Sequence, residues 1–357
     1  MNITNTQAIQ LLQQLIAIPS FSKEEQGTAS LLFSWLGKYG IAADRIGNNI
    51  VAGNKYYDSS KPVLLLNSHH DTVKPATGYT RDPFDAVVAD GRLYGLGSND
   101  AGGCVVALTA AFLHFYDRQD LPYNIMLALT AEEEISGVGG IGMILPQYTM
   151  PDCAIVGEPT SLQMAIAERG LLVLDCTATG KAGHAARSEG ENAIYKALQD
   201  LEWFRNYRFE KTSELLGPVT MQVTSIETAN KAHNVVPDSC RFTVDIRVNE
   251  QYTHEAILDV VRAHVQCDVQ ARSTRLRSSM IATSHPLVTA GKSLGLETYG
   301  SPTLSDKSLL PCPALKLGPG DSARSHMADE YIYTAEIEQG ITTYIRLLET
   351  FFATVNK

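Results

Sequence analysis

The 357-residue chain has only six cysteines (Cys104, Cys153, Cys176, Cys240, Cys267 and Cys312), and no two of them form a C-x-x-C pair. That argues against a disulfide framework or a zinc ribbon; the thiols are expected buried and reduced, and any metal must use other ligands. Basic residues are scarce too: 29 Lys plus Arg against 39 Asp plus Glu leave a net charge of −10, and no run of like charges exceeds three. Nucleic acids and anionic membranes both need basic patches, so neither is an expected partner. Although 44% of the residues are hydrophobic, no uninterrupted apolar stretch approaches the roughly 18 residues of a spanning helix. Residues 1–14 lack the basic segment, apolar core and small-residue cleavage site of a secretory signal, so a soluble cytoplasmic protein is expected. Repeats, low-complexity tracts and long Gly/Ser linkers are also missing, so a domain boundary has to come from a change in element pattern.

The length suggests two domains, and the pattern changes near residue 168. Before it, apolar runs at 63–67, 124–130 and 154–156 read as buried strands, and 8–16 and 100–116 read as helices. That alternation predicts an α/β domain with a mostly parallel sheet. From 170 onward the order is strand (171–179), helix (192–207), strand (219–227), strand (239–248), helix (253–265) and strand (269–274), the βαββαβ order of a ferredoxin-like sandwich. In 241–247 polar and apolar residues alternate, so one face of that sheet is expected packed and the other polar. After about 280 the α/β character returns, with a strand at 314–318 and a long amphipathic helix at 334–355. The fold class is therefore α/β: a catalytic α/β/α domain made of 1–168 and 281–357, with an α+β domain, 169–280, inserted into it.

His and acidic residues gather where the proposed strands end. The run 64–66 leads into Asn67-Ser68-His69-His70-Asp71, and a side-chain period of two puts His69 and Asp71 on one side and turns His70 away. Asp71 can then hold one imidazole nitrogen of His69 while the other faces a metal. Taken alone, H-x-D also fits a polar turn. Gly95-Leu96-Gly97-Ser98-Asn99-Asp100 runs into a helix; a dinucleotide fingerprint would need glycine where Asp100 stands, whereas an N-cap aspartate remains an ordinary alternative. Strand 124–130 runs into Glu132-Glu133-Glu134, which serve either as solvated acids or as a ligand beside a general base. Gly157-Glu158-Pro159 and 317–326, ending in His326, repeat the pattern. In open α/β sheets ligands gather beyond the carboxyl ends of the strands. The joint occurrence points to two ions, His69 and Glu158 on one, Glu134 and His326 on the other, with Asp100 between. Nitrogen and oxygen donors without sulfur suit Zn²⁺, with Co²⁺ or Mn²⁺ as substitutes, and two such ions can together acidify a water.

From Leu15-Ile16-Ala17-Ile18-Pro19-Ser20 to His326, these motifs stand in the order found in the M20 metallopeptidases and deacylases, and the sequence resembles that family over nearly its whole length. The resemblance implies a zinc-peptidase-like catalytic domain with two Zn²⁺ bound by His69, Asp100, Glu134, Glu158 and His326. It implies that Asp71 orients His69 and that Glu133 is the general base, taking a proton from water and delivering it to the leaving amine. It implies that the inserted domain is both lid and homodimer interface, and that His184, in Gly180-Lys181-Ala182-Gly183-His184, stabilises the oxyanion of the partner's site. Asn234 and Arg247 match positions that hold a substrate carboxylate.

The activity so implied is hydrolysis of the amide bond of an N-acylated amino acid, N-acetyl- or N-succinyl-ornithine first, a reaction of arginine biosynthesis. Lys231, Lys307 and Arg324 are candidate receivers for the second carboxylate of a succinyl group, although ordinary surface charge would look the same. A dipeptidase, a carboxypeptidase or a succinyl-diaminopimelate desuccinylase could use the same residues. A metal-dead binding protein would require a missing ligand, and none of the five is missing. A two-metal phosphoesterase would want an arginine cluster that is not present.

Overall fold

The computed structural model describes residues 3–187 and 189–355. The chain divides into two compact units: one takes everything up to Ile166, then Met280–Tyr299 and Ser305 onward; the other takes Ala167–Ser279 and Gly300–Leu304. Residues 300–304 thus belong with the inserted unit, although the sequence pattern assigned them to the catalytic domain. The backbones approach closely there: a Cβ on Gly300 would lie 2.3 Å from the Leu215 carbonyl oxygen.

The first unit supplies most of a nine-stranded mixed sheet, in which the strands at 164–168, 279–280 and 298–301 include residues counted with the second unit. Its elements in chain order are α1 (Asn5–Ile16), α2 (Gln26–Lys38), β1 (Ala43–Ile46), β2 (Asn49–Gly53), β3 (Val63–His69), α3 (Gly103–Phe115), β4 (Asn124–Thr130), β5 (Cys153–Val156) and β6 (Met164–Glu168). After the insertion come β11 (Ser279–Met280), α6 (Pro286–Ser293), β12 (Thr298–Ser301), β13 (Ala314–Lys316) and α7 (Thr334–Val355). The sheet order is β1-β2-β4-β3-β5-β13-β6-β11, with β12 also on β6. The central four strands, β4, β3, β5 and β13, run parallel. Every residue of β3 and of β4 is buried, as both faces of a parallel sheet must be covered. Leu64 and Leu66 join the core that contains α1, α3 and α7, whereas Val63 and Leu65 join a smaller cluster with Ile141 and Ile144 on the other face. Helix α3 is buried almost all round, and its Phe115 meets Phe352 of α7 edge to face at 5.6 Å. The parallel strands all deliver their carboxyl ends to one rim of the sheet.

The second unit contains β7 (Gly170–Thr179), α4 (Ala193–Asn206), β8 (Thr220–Thr228), β9 (Ser239–Val248), α5 (His254–His264) and β10 (Asp268–Ala271). The sheet order is β8-β9-β7-β10, antiparallel throughout, which with the βαββαβ chain order is the ferredoxin-like arrangement. Leu172, Leu174, Phe242, Val244 and Ile246 pack on Ala197, Phe204, Ile257 and Val261 of the two helices. The other face carries Asp175, Thr243, Asp245 and Arg247, with Arg272 bidentate on Asp175 at 2.8 Å. Among the described residues all six cysteines are unpaired, and no helix is long and apolar enough to cross a membrane.

Candidate metal centre

The rim brings together His69 from the end of β3, Glu133 and Glu134 just past β4, Glu158 just past β5, Asp100 ahead of α3, and His326 from the loop before α7. Ligand atoms of His69, Asp100 and Glu134 lie within 4.8 Å of one another, and so do those of His69, Glu133 and Glu158. Asp100 stands between the two histidines: its Oδ1 is 3.2 Å from His69 Nε2 and its Oδ2 is 3.7 Å from His326 Nε2. His326 Nε2 is 2.9 Å from Glu134 Oε2, and Glu133 Oε2 is 3.8 Å from His69 Nε2. Asp100 is not an N-cap. Its backbone is non-helical (φ −118°, ψ 98°), the Asp100–Ala101 peptide is cis, and α3 starts only at Gly103.

Asp71 has two tasks. Its carboxylate Oδ1 is 3.4 Å from His69 Nδ1, whose hydrogen bond goes to the Asp71 backbone oxygen at 3.1 Å. The same carboxylate accepts the backbone N–H of Glu133 (3.0 Å) and of Glu134 (3.2 Å), and the Ser22 hydroxyl at 2.7 Å. His70 turns away, its Nδ1 3.0 Å from Thr28 Oγ1 and its Nε2 2.9 Å from the Asn48 carbonyl. Burial pushes its pKa down to about 4, so it stays neutral.

Burial drives the acids the other way. The Glu158 carboxyl is pushed up to about 8, and those of Glu133 and Glu134 are also raised, in each case first by removal from water. Asp100 is the exception: burial opposes ionisation, but the hydrogen bond and charge of His69 hold its carboxyl below the usual range. His326 is raised to about 9, first by its hydrogen bond to Glu134. Glu158 Oε1 is shielded from solvent and has no hydrogen-bond partner. Four shielded carboxylates repel one another unless cations lie among them, and a buried oxygen without a partner on one of them is what an ion would satisfy. The donor set fits a divalent metal of the zinc type.

His184 and Asn234 lie in the second unit and are neighbours there. A short ladder pairs Gly183 with Val236 and His184 with Val235, and the Ala185 N–H donates to the Asn234 carbonyl at 3.0 Å. His184 is exposed, and its Nδ1 accepts from the Ala186 N–H at 3.2 Å. Arg247 is engaged with Asp245 on the polar face of the sheet, at 2.8 and 3.1 Å.

Of the three cations considered for a succinyl carboxylate, Lys307 is fully buried, and Arg324 pairs with Glu336 at 2.7 Å through Nη2 while its Nη1 is buried without a hydrogen-bond partner. Lys231 is exposed.

Sequence reasoning missed several buried groups that hold the rim. Glu25 accepts the Glu132 N–H at 3.3 Å and the Asn48 side-chain amide at 2.8 Å. Asp306 takes the Thr130 hydroxyl at 2.8 Å, and Glu330 accepts backbone N–H groups around Asp100. No local pattern marks Glu25 or Glu330, whereas Asp306 stood beside a lysine that drew attention for its charge.

Imidazoles and carboxylates gathered at the carboxyl ends of parallel strands are the kind of site a metal-dependent hydrolase uses. The family is then explicit: residues 65–350 match the Peptidase family M20/M25/M40, and the chain belongs to it. The chain is 28% identical over 382 residues to succinyl-diaminopimelate desuccinylase 2 of Ruegeria sp. (strain TM1040), covering 98% of this chain and 96% of that one. It is 31% identical over 385 residues to acetylornithine deacetylase of Proteus mirabilis (strain HI4320), covering 98% of each. The fold is similar to that of an M20 family metallo-carboxypeptidase from Sulfolobus solfataricus, with a TM-score of 0.74 at 19% identity, covering 99% of this chain and 100% of that one.

Proposed function

We propose that this enzyme hydrolyses the amide bond of an N-acylated amino acid, with two divalent ions held by His69, Asp100, Glu134, Glu158 and His326. The observation that carries the reading is Asp100, whose two carboxylate oxygens face two different histidines at 3.2 and 3.7 Å. When bound, the ions supply Lewis-acid polarisation of the carbonyl and acidify water. Glu133 acts as base and then acid: its carboxylate takes the proton of the attacking water and returns it to the departing amine nitrogen, which leaves poorly unless protonated. Asp71 keeps that carboxylate in place through the backbone of Glu133 and Glu134, and it keeps His69 in one tautomer. His184 is assigned to the oxyanion, and Asn234 and Arg247 to the substrate carboxylate.

Among acyl groups, acetyl on ornithine is one reading, supported by the 31% identity to the Proteus deacetylase over 98% of each chain. Removal of succinyl from diaminopimelate is the second reading, and the 28% identity to the Ruegeria desuccinylase over the full chain supports it. A panel of N-acetyl-ornithine, N-succinyl-ornithine, N-succinyl-diaminopimelate and simple dipeptides, offered to zinc-loaded enzyme, tests both. Turnover of an acyl amino acid is expected; hydrolysis of dipeptides alone would overturn the proposal.

We also infer a cytoplasmic homodimer joined through the second unit. Strand β8 is the edge of its sheet, and Val223 and Ile226 on it are exposed. Tyr195 and Leu198 on α4 are 69% and 53% exposed, and apolar side chains beside an open strand edge favour a partner.

A further inference from the structure

Glu330 is almost fully buried at 1% exposure, four residues beyond His326. Its Oε1 accepts the backbone N–H of Asn99 and of Asp100, both at 2.9 Å, and its Oε2 accepts the N–H of Gly97 at 3.1 Å. Its own carbonyl accepts the Gly95 N–H at 2.9 Å. The next three residues, Tyr331–Tyr333, are fixed by an antiparallel ladder to Arg92–Tyr94. One carboxylate on an anchored backbone thus gathers three donors from the loop that carries Asp100. Asn99 completes the tie from the other side: its side-chain amide donates to the Asp321 carbonyl at 3.0 Å, and its Oδ1 accepts the Asp321 N–H at 3.0 Å. The loop with Asp100 and the segment with His326 are therefore locked to each other. His69 and Glu158, by contrast, leave directly from β3 and β5, whose positions the sheet sets.

We infer that Glu330 is a positioning residue for the metal centre, holding Asp100 and His326 in register so that the ion shared with Glu134 is bound. The assignment rests on the two-ion reading above. Groups behind metal ligands typically account for a 10–100-fold difference in affinity. The effect here falls on one ion more than the other, because only one depends on both locked segments. Gln in place of Glu330 keeps the shape, but with its carbonyl left to Asn99 and Asp100 its amide NH₂ faces the Gly97 N–H, so one acceptor is lost and one donor is opposed.

The test is a titration of metal-free wild type and E330Q with Co²⁺, following visible absorption and competition with a chelator. The wild type is expected to take two equivalents. E330Q should lose affinity for both, because Asp100 serves both, but more for the second, which should bind about 10–100-fold more weakly than in the wild type. Its kcat should fall at limiting cobalt and recover in excess, with KM little changed. Two equally tight equivalents with the wild-type spectrum in E330Q would overturn the assignment, whatever its melting temperature. Should E330Q not fold, E330D keeps both oxygens on a shorter arm and is read by the same two outcomes. A wild type that takes up no cobalt would remove the metal-centre reading, and this assignment with it.

Discussion

Glu133 is held from two directions: its backbone N–H by Asp71 at 3.0 Å, and its carboxylate beside His69 at 3.8 Å. Neither contact requires the negative charge of Glu133 for folding, since burial already raises its carboxyl well above the usual range. Replacing it with the isosteric amide should therefore leave the centre assembled and remove only the proton carrier. Glu133→Gln is expected to lower kcat by about 10²–10⁴-fold with metal content unchanged, measured as turnover alongside metal analysis. Activity near wild type would transfer the base role to another group, with Asp306, an acid whose charge acts on Glu133, the first to test. Glu132, by contrast, serves the backbone. At φ 55° it occupies the left-handed region, and its carboxylate turns back to accept the Gly139 N–H at 3.1 Å.

That fold-back makes the loop after β4 a device for presenting two glutamates at the rim. A Cβ on Gly137 would lie 2.0 Å from Glu132 Oε2, so Gly137→Ala must push the carboxylate out and shift the turn that carries Glu133 and Glu134. A cost of about 1–3 kcal/mol in stability and a loss of up to about 100-fold in kcat are expected. Gly142→Ala, with nothing within 4 Å of the new methyl, should change neither; thermal melts and turnover of both variants decide. This element also shows what was legible. An apolar strand followed at once by an acid or His is a local pattern, and β3, β4 and β5 each announced in that way a residue that the fold brings to the rim. The βαββαβ order was legible for the same reason, because period and turn chemistry are short-range. The start of α3 was not: an Asp ahead of a long apolar run reads as a helix start, whereas Asp100 and Ala101 are non-helical and α3 begins at Gly103, after the poor helix former Gly102. Glu25 and Glu330 accept hydrogen bonds from segments far off in sequence, and Lys307 looked like surface charge until the chain closed over it.

At the scale of the whole molecule, a net charge of −10 includes several acids that folding drives together, and the pH dependence follows from them. Glu158 ionises near 8 in the folded protein stripped of metal, against an ordinary value of 4.5, because it is buried. The folded state then holds more protons than the unfolded one between those values, so stability falls as pH rises through that window. His326, raised to about 9 by Glu134, adds the same sign: its contribution is present at low pH and lost as pH passes 9. Metal reverses the slope, since its ligands must be deprotonated to bind. Chelated protein should melt higher at pH 5.5 than at pH 8, and the gain in melting temperature on adding zinc should be larger at pH 8; a gain independent of pH would count against the buried acids as ligands.

The same net charge bears on assembly, because two copies of an acidic chain repel one another. A dimer must then rest on apolar contact, and the second unit offers it in Val223, Ile226, Tyr195 and Leu198 beside the open edge of β8. Salt screens the repulsion within about 10 Å at 0.1 M, so raising it should hold or strengthen the dimer. Ile226→Lys places an unpaired cation in that patch and is expected to yield monomer by light scattering, with metal content unchanged. Because His184 is assigned to the partner's oxyanion, the monomer should also lose most of its kcat. A monomeric variant with wild-type turnover would withdraw the role across the interface, and wild type that is itself monomeric at working concentration would withdraw the dimer too.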